Sequence, residues 1–400
     1  MKVSKNILGA AVSSIAMGMC VSASADSFTD ALTSGKTSAD VRLRYESVAQ
    51  DNAADDATAL TIRTRLGYTT GSFEGLSATV EFEDSRIVAS VDEYTVEPTG
   101  FNPGEYSVIA DPEVTELDQG FLQYKAGMFT AKLGRQVMTF DNHRFLGHVG
   151  WRQDRQTFDG LALNIKPSDE LSISYNYIGE RKRIFAEVTD VKSNDHLVNA
   201  SYKTPVGTLT GYGYFLELDN DTDNALDTIG VRFSGRTDAG STKIIYTGEY
   251  ATQSSESGGA DYDASYLDLE VGAVFGGVKV LGGYEVLGSD EGLYGFSTPL
   301  ATLHKFNGWA DIFLGTPDAG LQDLSLTVSG KVLGGGWKVA LHDFSTDESG
   351  ANDDLGSEID ASFGRGFGKI YNAGIKLASY NSGDVGVDTD KIWLWVGAKF

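Results

Sequence analysis

Hydrophobic and polar side chains alternate along many short segments of this chain. Val41, Leu43 and Tyr45 would share one face of an extended segment, and the alternating positions Arg42, Arg44 and Glu46 would share the other. A period of two residues is the pattern of a β-strand with one apolar and one polar face. The pattern returns further along the chain, in residues 60–68, 76–83, 171–177, 267–275 and 324–328.

The connections between these segments alternate in length. Short turns rich in glycine alternate with longer polar loops, and all seven prolines fall in connections, where no ladder N–H is lost. Nine loops and eight turns predict about eighteen strands. Phe306–Leu314 would make a nineteenth, but single-chain bacterial barrels have an even number, so we place it in the seventh loop. The predicted long loops are residues 51–57, 86–115, 137–155, 181–194, 219–225, 253–263, 288–320, 346–354 and 381–390.

The pattern therefore predicts an all-β fold, a transmembrane antiparallel β-barrel with short periplasmic turns and long extracellular loops. After the N-terminal segment, no stretch approaches the roughly 20 apolar residues that a membrane-spanning helix needs. The mean hydropathy of −0.18 also excludes a helical bundle in lipid. The polar faces would line a water-filled lumen, because about eighteen strands enclose more space than side chains fill.

The N-terminus has the features of an export signal. Lys2 and Lys5 precede a short apolar stretch, and Ala23-Ser24-Ala25 is a cleavage pattern. We predict a cleavable signal peptide at residues 1–25 and a single barrel domain at 26–400, with strands from about residue 40. The expected location is the outer membrane of a bacterium.

The C-terminal strand ends in an aromatic carboxylate, Phe400, on the same face as Ile392, Leu394 and Val396. This ending resembles the signal that the barrel-assembly machinery reads in outer-membrane proteins. Phe400 is therefore predicted to be an assembly signal. The other expected partners are outer-membrane lipid and lipopolysaccharide.

The chain is acidic, with a net charge of −24 and 22% charged residues. This charge argues against binding nucleic acid. The acidic residues concentrate in the predicted loops, where divalent ions could bridge them to lipopolysaccharide phosphates. Asp219–Asn224 has an acidic pattern but lacks the glycine and distal glutamate of a calcium loop. We expect no metal site and no cofactor beyond loosely bound Ca²⁺ at the acidic loops.

The basic residues follow a different rule, because many occupy strand positions opposite the apolar face. Some should pair with Glu81, Glu83, Glu249 or Glu285 across the wall, and the surplus would attract anions. The predicted lumen-facing residues are Arg42, Arg44, Arg63, Arg65, Lys125, Lys203, Arg232, Lys243, Lys279, Lys331, Lys338 and Lys376.

The third long loop concentrates arginine, aspartate and tryptophan. Leu133–Gln136 begins the motif, and Trp151–Gly160 (WRQDRQTFDG) ends it. With Asn307–Asp311 and Leu355–Asp360, this motif resembles the alginate export family of outer-membrane porins. The resemblance implies an eighteen-stranded barrel, a monomer, and an arginine-lined pore, constricted by loops, for anionic saccharides. On the matching positions, it implies constriction residues Arg135, Arg144, Arg152 and Arg155, oriented by Asp141, Asp154 and Asp159.

Several interpretations stay open at this stage. The third loop could form the constriction, or it could be a rigid plug or latch held to the wall by salt bridges. The protein could be a porin for small anionic solutes or acidic oligosaccharides, a general or cation-preferring porin governed by its acidic loops, or a structural or adhesive barrel. An enzyme is not expected, because the five histidines fit no triad or metal spacing.

Overall fold

The computed structural model describes residues 25–222, 224–350 and 352–400. The described chain is almost entirely β-strand, with one short α-helix, α1 (Ala25–Thr33), at its start. Three single 3-10 turns, Glu97–Thr99, Ala186–Thr189 and Leu303–Lys305, lie in connections. The predicted signal peptide falls outside the described residues, apart from Ala25.

Eighteen long strands form one antiparallel sheet. They are β1 (Lys36–Gln50), β2 (Ala57–Thr69), β3 (Leu76–Glu93), β4 (Val114–Ala126), β5 (Phe129–Gln136), β6 (Thr157–Ile165), β7 (Leu171–Lys182), β8 (Val191–Thr204), β9 (Gly207–Glu217), β10 (Ala225–Ala239), β11 (Thr242–Ser257), β12 (Ala260–Phe275), β13 (Val278–Leu287), β14 (Leu321–Val332), β15 (Gly335–Ser345), β16 (Asp354–Phe367), β17 (Tyr371–Asn381) and β18 (Thr389–Lys399).

The sheet closes on itself, because β1 pairs with both β2 and β18. Each strand otherwise pairs with its neighbours in sequence, so the barrel has no free edge. The predicted count of eighteen is confirmed. Phe306–Leu314 lies in the loop between β13 and β14, as the parity argument predicts.

The two faces of the wall differ as the alternation predicts. Leu122, Leu133 and Val271 point outward and are 59–65% exposed. On the inner face, Arg44 and Glu83 are each 1% exposed. An apolar exterior over a charged interior is the arrangement of an outer-membrane barrel. Among the described residues, no helix is both long and apolar enough to cross a bilayer.

Nine connections meet at one end of the barrel and eight short turns at the other. The predicted sixth long loop, residues 253–263, is wrong: β11 and β12 continue to a two-residue turn at Gly258-Gly259, both with positive φ. The polar composition of residues 253–263 is typical of a loop. Gln253 and Ser255 point inward and are nevertheless buried, because the seventh loop fills the interior beside them. Gln253 Nε2 donates to the carbonyl of Ser297, 2.8 Å away, in the seventh loop.

The half of the barrel nearest the loops contains a packed apolar cluster. Loop 3 (residues 137–156) contributes Leu146, and loop 7 (residues 288–320) contributes Phe296 and Leu300, all fully buried against strand residues such as Ile178. The inserted loops therefore fill part of the lumen in this half. The strand pattern could not show this, because the filling comes from the loops.

Candidate functional site

Loops 3 and 7 fold into the barrel and bind each other. The amide of Gly147 donates to the carbonyl of Leu300 at 2.8 Å, and the amide of Thr302 donates to the carbonyl of His143 at 3.0 Å. Trp151 of loop 3 stacks on His304 of loop 7, with the ring centroids 5.2 Å apart. The two loops therefore form one unit across the interior.

Inward arginines of β1 and β2 hold loop 3 by its backbone. Arg42 donates to the carbonyls of Gly150, Trp151 and Arg152, at 3.3, 2.8 and 2.6 Å. Arg65 likewise donates to the carbonyl of Gln153 at 3.2 Å. A guanidinium with several donors suits this role, because consecutive carbonyls can share one side chain.

Carboxylates neutralise the other arginines of this wall. Arg44 pairs with Asp111 and Glu46, and Arg63 pairs with Asp40 at 2.5 Å. Burial raises the pKa of Asp111, but Arg44 and Arg152 outweigh it and hold that pKa below its usual value. Arg42, Arg44, Arg63 and Arg65 face the interior, where they bind loop 3 or carboxylates; their predicted role in lining the pore stays a prediction.

The structure brings Arg152 and Arg155 together in loop 3, and both bind carboxylates. Arg152 lies 2.9 Å from Glu46 and 3.0 Å from Asp311, whereas Arg155 contacts Asp118 and Glu81. Burial lowers the pKa of Arg152, but Glu46 and the neighbouring aspartates reverse this effect and raise it. These ion pairs favour the interpretation of loop 3 as a latch that salt bridges hold to the barrel wall.

Arg144 reaches the opposite side of the barrel. Its Nε lies 2.9 Å from Glu285 on β13, and its Nη2 donates to Asn307 of loop 7 at 3.1 Å. The guanidinium lies 4.7 Å from the ring of Phe306 and 5.8 Å from that of Tyr266. Loop 3 therefore spans the interior, from the wall of β1–β4 to that of β12–β13.

The remaining predicted constriction residues lie elsewhere. Arg135 on β5 pairs with Asp159 on β6 at 2.8 and 3.0 Å, and strand alternation places Arg135 on the side of the outward Leu133. Asp141 accepts a hydrogen bond from Asn199 at 2.9 Å. Asp154 accepts one from the amide of Ala186 at 3.2 Å. Their predicted roles in a constriction stay predictions.

The four glutamates predicted to pair with arginines do so. The pairs are Arg65–Glu83, Arg155–Glu81, Arg232–Glu249 and Arg144–Glu285. Lys125, Lys203 and Lys243 are exposed, and within the described chain none has a carboxylate oxygen within 4.0 Å. The arginines that pair with carboxylates therefore lie in the half of the barrel nearest the loops, and these lysines lie in the half nearest the short turns, the turn half.

Sequence reasoning missed the charged residues of loop 7. His304 donates to Asp311 at 2.6 Å, and Lys305 donates to the carbonyl of Asn142 in loop 3 at 2.6 Å. Burial lowers the pKa of His304 to about 3 although Asp311 opposes this, so the ring is neutral. The Asn307–Asp311 motif marks this loop, but its pattern does not show that the loop folds inward.

The turn half of the barrel retains an open cavity of about 580 Å³. Lys203, Arg236 and Lys279 bring positive charge to it, and Glu270 is the acidic residue in its lining. Thr208, Ser234 and Thr247 add hydroxyl groups. Within the described residues, no group of three or more His, Cys, Asp or Glu side chains could hold a metal ion. Ca²⁺ binding at the acidic loops stays a prediction.

A closed eighteen-stranded barrel, apolar outside and constricted by inserted loops, defines an outer-membrane porin. The model of the alginate export family matches residues 35–286, so the chain belongs to that family. The barrel fold and the family membership place the protein in the bacterial outer membrane, as the sequence predicts. No curated protein matches the chain.

Solved outer-membrane proteins share the fold at low identity. OccAB4 of Acinetobacter baumannii is 14% identical, with a TM-score of 0.72 over 92% of this chain and 98% of that one. OccK9 (OpdG) of Pseudomonas aeruginosa is 15% identical, with a TM-score of 0.72 over 92% and 99%. OpdK of P. aeruginosa, solved with vanillate, is 14% identical, with a TM-score of 0.70 over 91% and 98%.

Proposed function

We propose that the protein is a passive diffusion channel for small anionic solutes, chiefly carboxylates and acidic oligosaccharides. The observation that carries this proposal is the distribution of charge inside the barrel. Carboxylates neutralise most of the arginines, whereas lysines around the remaining space lack such partners. A lumen with an excess of cations lowers the barrier for anions and still lets them exchange with water.

Lys305 is the central residue of this proposal. It lies on loop 7, is exposed, and donates to a backbone carbonyl rather than to a carboxylate. Burial of part of the side chain lowers the pKa of Lys305, and the charges of Arg232 and Lys338 lower it further, while Glu270 opposes them. An anion that binds between these cations would reduce their mutual repulsion.

The cavity in the turn half continues this basic environment. Lys203, Arg236 and Lys279 would attract carboxylates, and the hydroxyls of Thr208 and Ser234 could replace water around a sugar. The family name refers to alginate, and OpdK was solved with vanillate. Both are carboxylates, which supports this class of solute for the present chain.

The experiment is the reversal potential of the purified protein in planar bilayers under a salt gradient. We expect anion preference, and we expect uronate oligomers to reduce the current. Lys305→Gln and Lys338→Gln should each shift the reversal potential toward cations. Lys166→Gln, in an exposed turn, is the matched control and should leave it unchanged.

Firm cation preference that uronate oligomers do not affect would overturn the proposal. It would favour the second candidate, a general or cation-preferring porin, for which the exposed acidic residues of loops such as 51–56 are the supporting observation. Absence of conductance from a folded barrel would favour a structural or adhesive role. The proposal assumes no catalytic step, and a monomeric state, lipopolysaccharide contact and recognition by the assembly machinery stay predictions.

A further inference from the structure

Lys376 lies in an enclosure of tryptophan rings inside the barrel. It is an inward residue of β17, and the side chain is 7% exposed. Its Nζ lies 3.7 Å from the ring centroid of Trp309, 4.5 Å from that of Trp151 and 5.5 Å from that of Trp393. Three rings around one ammonium form an aromatic cage of the kind that binds ammonium ligands.

The rings come from different parts of the chain. Trp151 belongs to loop 3, Trp309 to loop 7, and Trp393 to the neighbouring strand β18. His304 of loop 7 completes the enclosure, because Lys376 Nζ donates to its Nε2 at 2.6 Å. The ammonium is therefore the common contact of the two loops and the wall.

The hydrogen bonds around His304 show that the arrangement is polar as well as packed. His304 Nδ1 donates to Asp311 at 2.6 Å, so Nε2 is free to accept from Lys376. Asp311 also lies 3.0 Å from Arg152 and 3.4 Å from Lys391, so charged groups surround this histidine. An apolar side chain of the same length could fill the space but could not make these contacts.

We propose that Trp151, Trp309 and Trp393 form an ammonium-binding site, that Lys376 is its internal ligand, and that this contact holds loops 3 and 7 in the barrel. The site takes a primary alkylammonium group, since one N–H must reach His304. Lys376 is thus a positioning residue, because it sets the open area through the loops. Only the conductance readout rests on the proposed channel function, and tryptophan emission tests the site independently.

The test uses the full-length protein in detergent and in planar bilayers. Lys376→Met keeps much of the side-chain volume and removes the charge, whereas Lys376→Arg keeps the charge. We expect the methionine variant to show higher, noisier conductance and tryptophan emission at longer wavelength, and the arginine variant to stay closer to the wild type. Lys166→Met, in an exposed turn outside the strands, should change neither.

Chemical rescue separates ligand binding from packing. Lys376→Ala leaves room for propylammonium, which replaces the missing methylenes and ammonium, and propan-1-ol is the neutral control. Propylammonium should restore conductance and emission in a saturable way, and propanol should not. Equal rescue by propanol, no rescue by propylammonium in a folded variant, or a methionine variant like the wild type would overturn the proposal. If the alanine variant does not fold, the contrast between methionine and arginine decides.

Discussion

Arg152 places Nη1 2.9 and 3.0 Å from the two carboxylate oxygens of Glu46, and both side chains are almost completely buried. This pair joins loop 3 to β1 inside the barrel. Removing one partner of a buried ion pair leaves a buried charge without compensation, at a cost of about 3–5 kcal/mol. Because ladder hydrogen bonds hold the wall itself, this cost should fall on the attachment of the loop.

We therefore expect Arg152→Ala to release loop 3 and increase conductance while the barrel stays folded. Folding is checked by the difference in gel mobility between unheated and heated samples. Arg135→Ala is the control, since Arg135 pairs with Asp159 between two strands and not with loop 3. Loss of the unheated mobility in Arg152→Ala would show that the pair supports the wall, and conductance like the wild type would show that it does not hold the loop.

Arg42 provides a second prediction, because it binds loop 3 through the geometry of its guanidinium. It donates to three successive carbonyls and to Gln153 Oε1 at 3.0 Å. Arg42→Lys keeps the charge but cannot reach these acceptors together. At about 1.5–3 kcal/mol for a hydrogen bond to a charged group, loop 3 should loosen measurably.

The measurement for Arg42→Lys is proteolysis of loop 3 in folded protein, together with single-channel noise. Both should increase relative to the wild type. Lys125→Arg is the matched control, because Lys125 is an exposed strand residue. Equal protease resistance in both variants would mean that positive charge alone is sufficient at position 42.

The wall of the barrel could be predicted from sequence because its physics is local. In β1, the alternation of Leu43 with Arg42 and Arg44 assigns each side chain to lipid or interior without knowledge of the rest of the chain. Proline and glycine mark the turns for equally local reasons. The strand number and the position of Phe306–Leu314 follow from these signals.

The interior could not be predicted in this way, because long-range contacts determine it. Arg152 and Asp311 lie 159 residues apart in sequence, yet they form an ion pair. The strand pattern predicts that Arg42 is a lumen-facing charge, but it cannot show that carbonyls of loop 3 accept its hydrogen bonds. The predicted loop at 253–263 failed for the same reason, since loop 7 buries Gln253.

Asp154 gives a prediction about stability and pH. It is fully buried in loop 3, and its Oδ1 has no hydrogen-bond partner. Burial, together with Glu116 and Glu83, raises the pKa of Asp154 well above its usual value. The folded state therefore favours the protonated acid. The protonated carboxyl contributes to the free energy of unfolding below the unfolded pKa of about 3.9, and this contribution is lost as the pH rises through the raised pKa of the folded state.

Asp154→Asn should therefore raise the thermal midpoint at neutral pH, because it removes the charge and keeps an acceptor for the amide of Ala186. The gain should disappear near pH 3.5. The midpoint can be measured as the temperature at which unheated gel mobility is lost. Asp141→Asn, at an exposed position, should show no such dependence. A lower midpoint for Asp154→Asn at neutral pH would mean that the carboxylate is stabilising.

His148 predicts how acid acts on the contact between loops 3 and 7. Its ring lies 5.2 Å from that of His143, and its Nδ1 accepts from the amide of Gly150 at 2.8 Å. Burial lowers the pKa of His148 to about 4, and His143, Arg155 and Arg65 add to this effect, while burial and Lys305 lower the pKa of His143. The unfolded pKa of a histidine is about 6.5. The neutral ring of His148 therefore contributes to the stability of the folded loops above pH 6.5, and this contribution is lost as the pH falls toward 4.

Conductance of the wild type should therefore increase between pH 6.5 and pH 4, as protonation of His148 breaks the contact with Gly150 and repels its cationic neighbours. His148→Asn places an amide oxygen where Nδ1 accepts and cannot be protonated, so its conductance should depend less on pH. His196→Asn is the comparison variant, because His196 lies on β8 outside the two loops. If His148→Asn retains the full pH dependence, the acid response does not arise at this histidine.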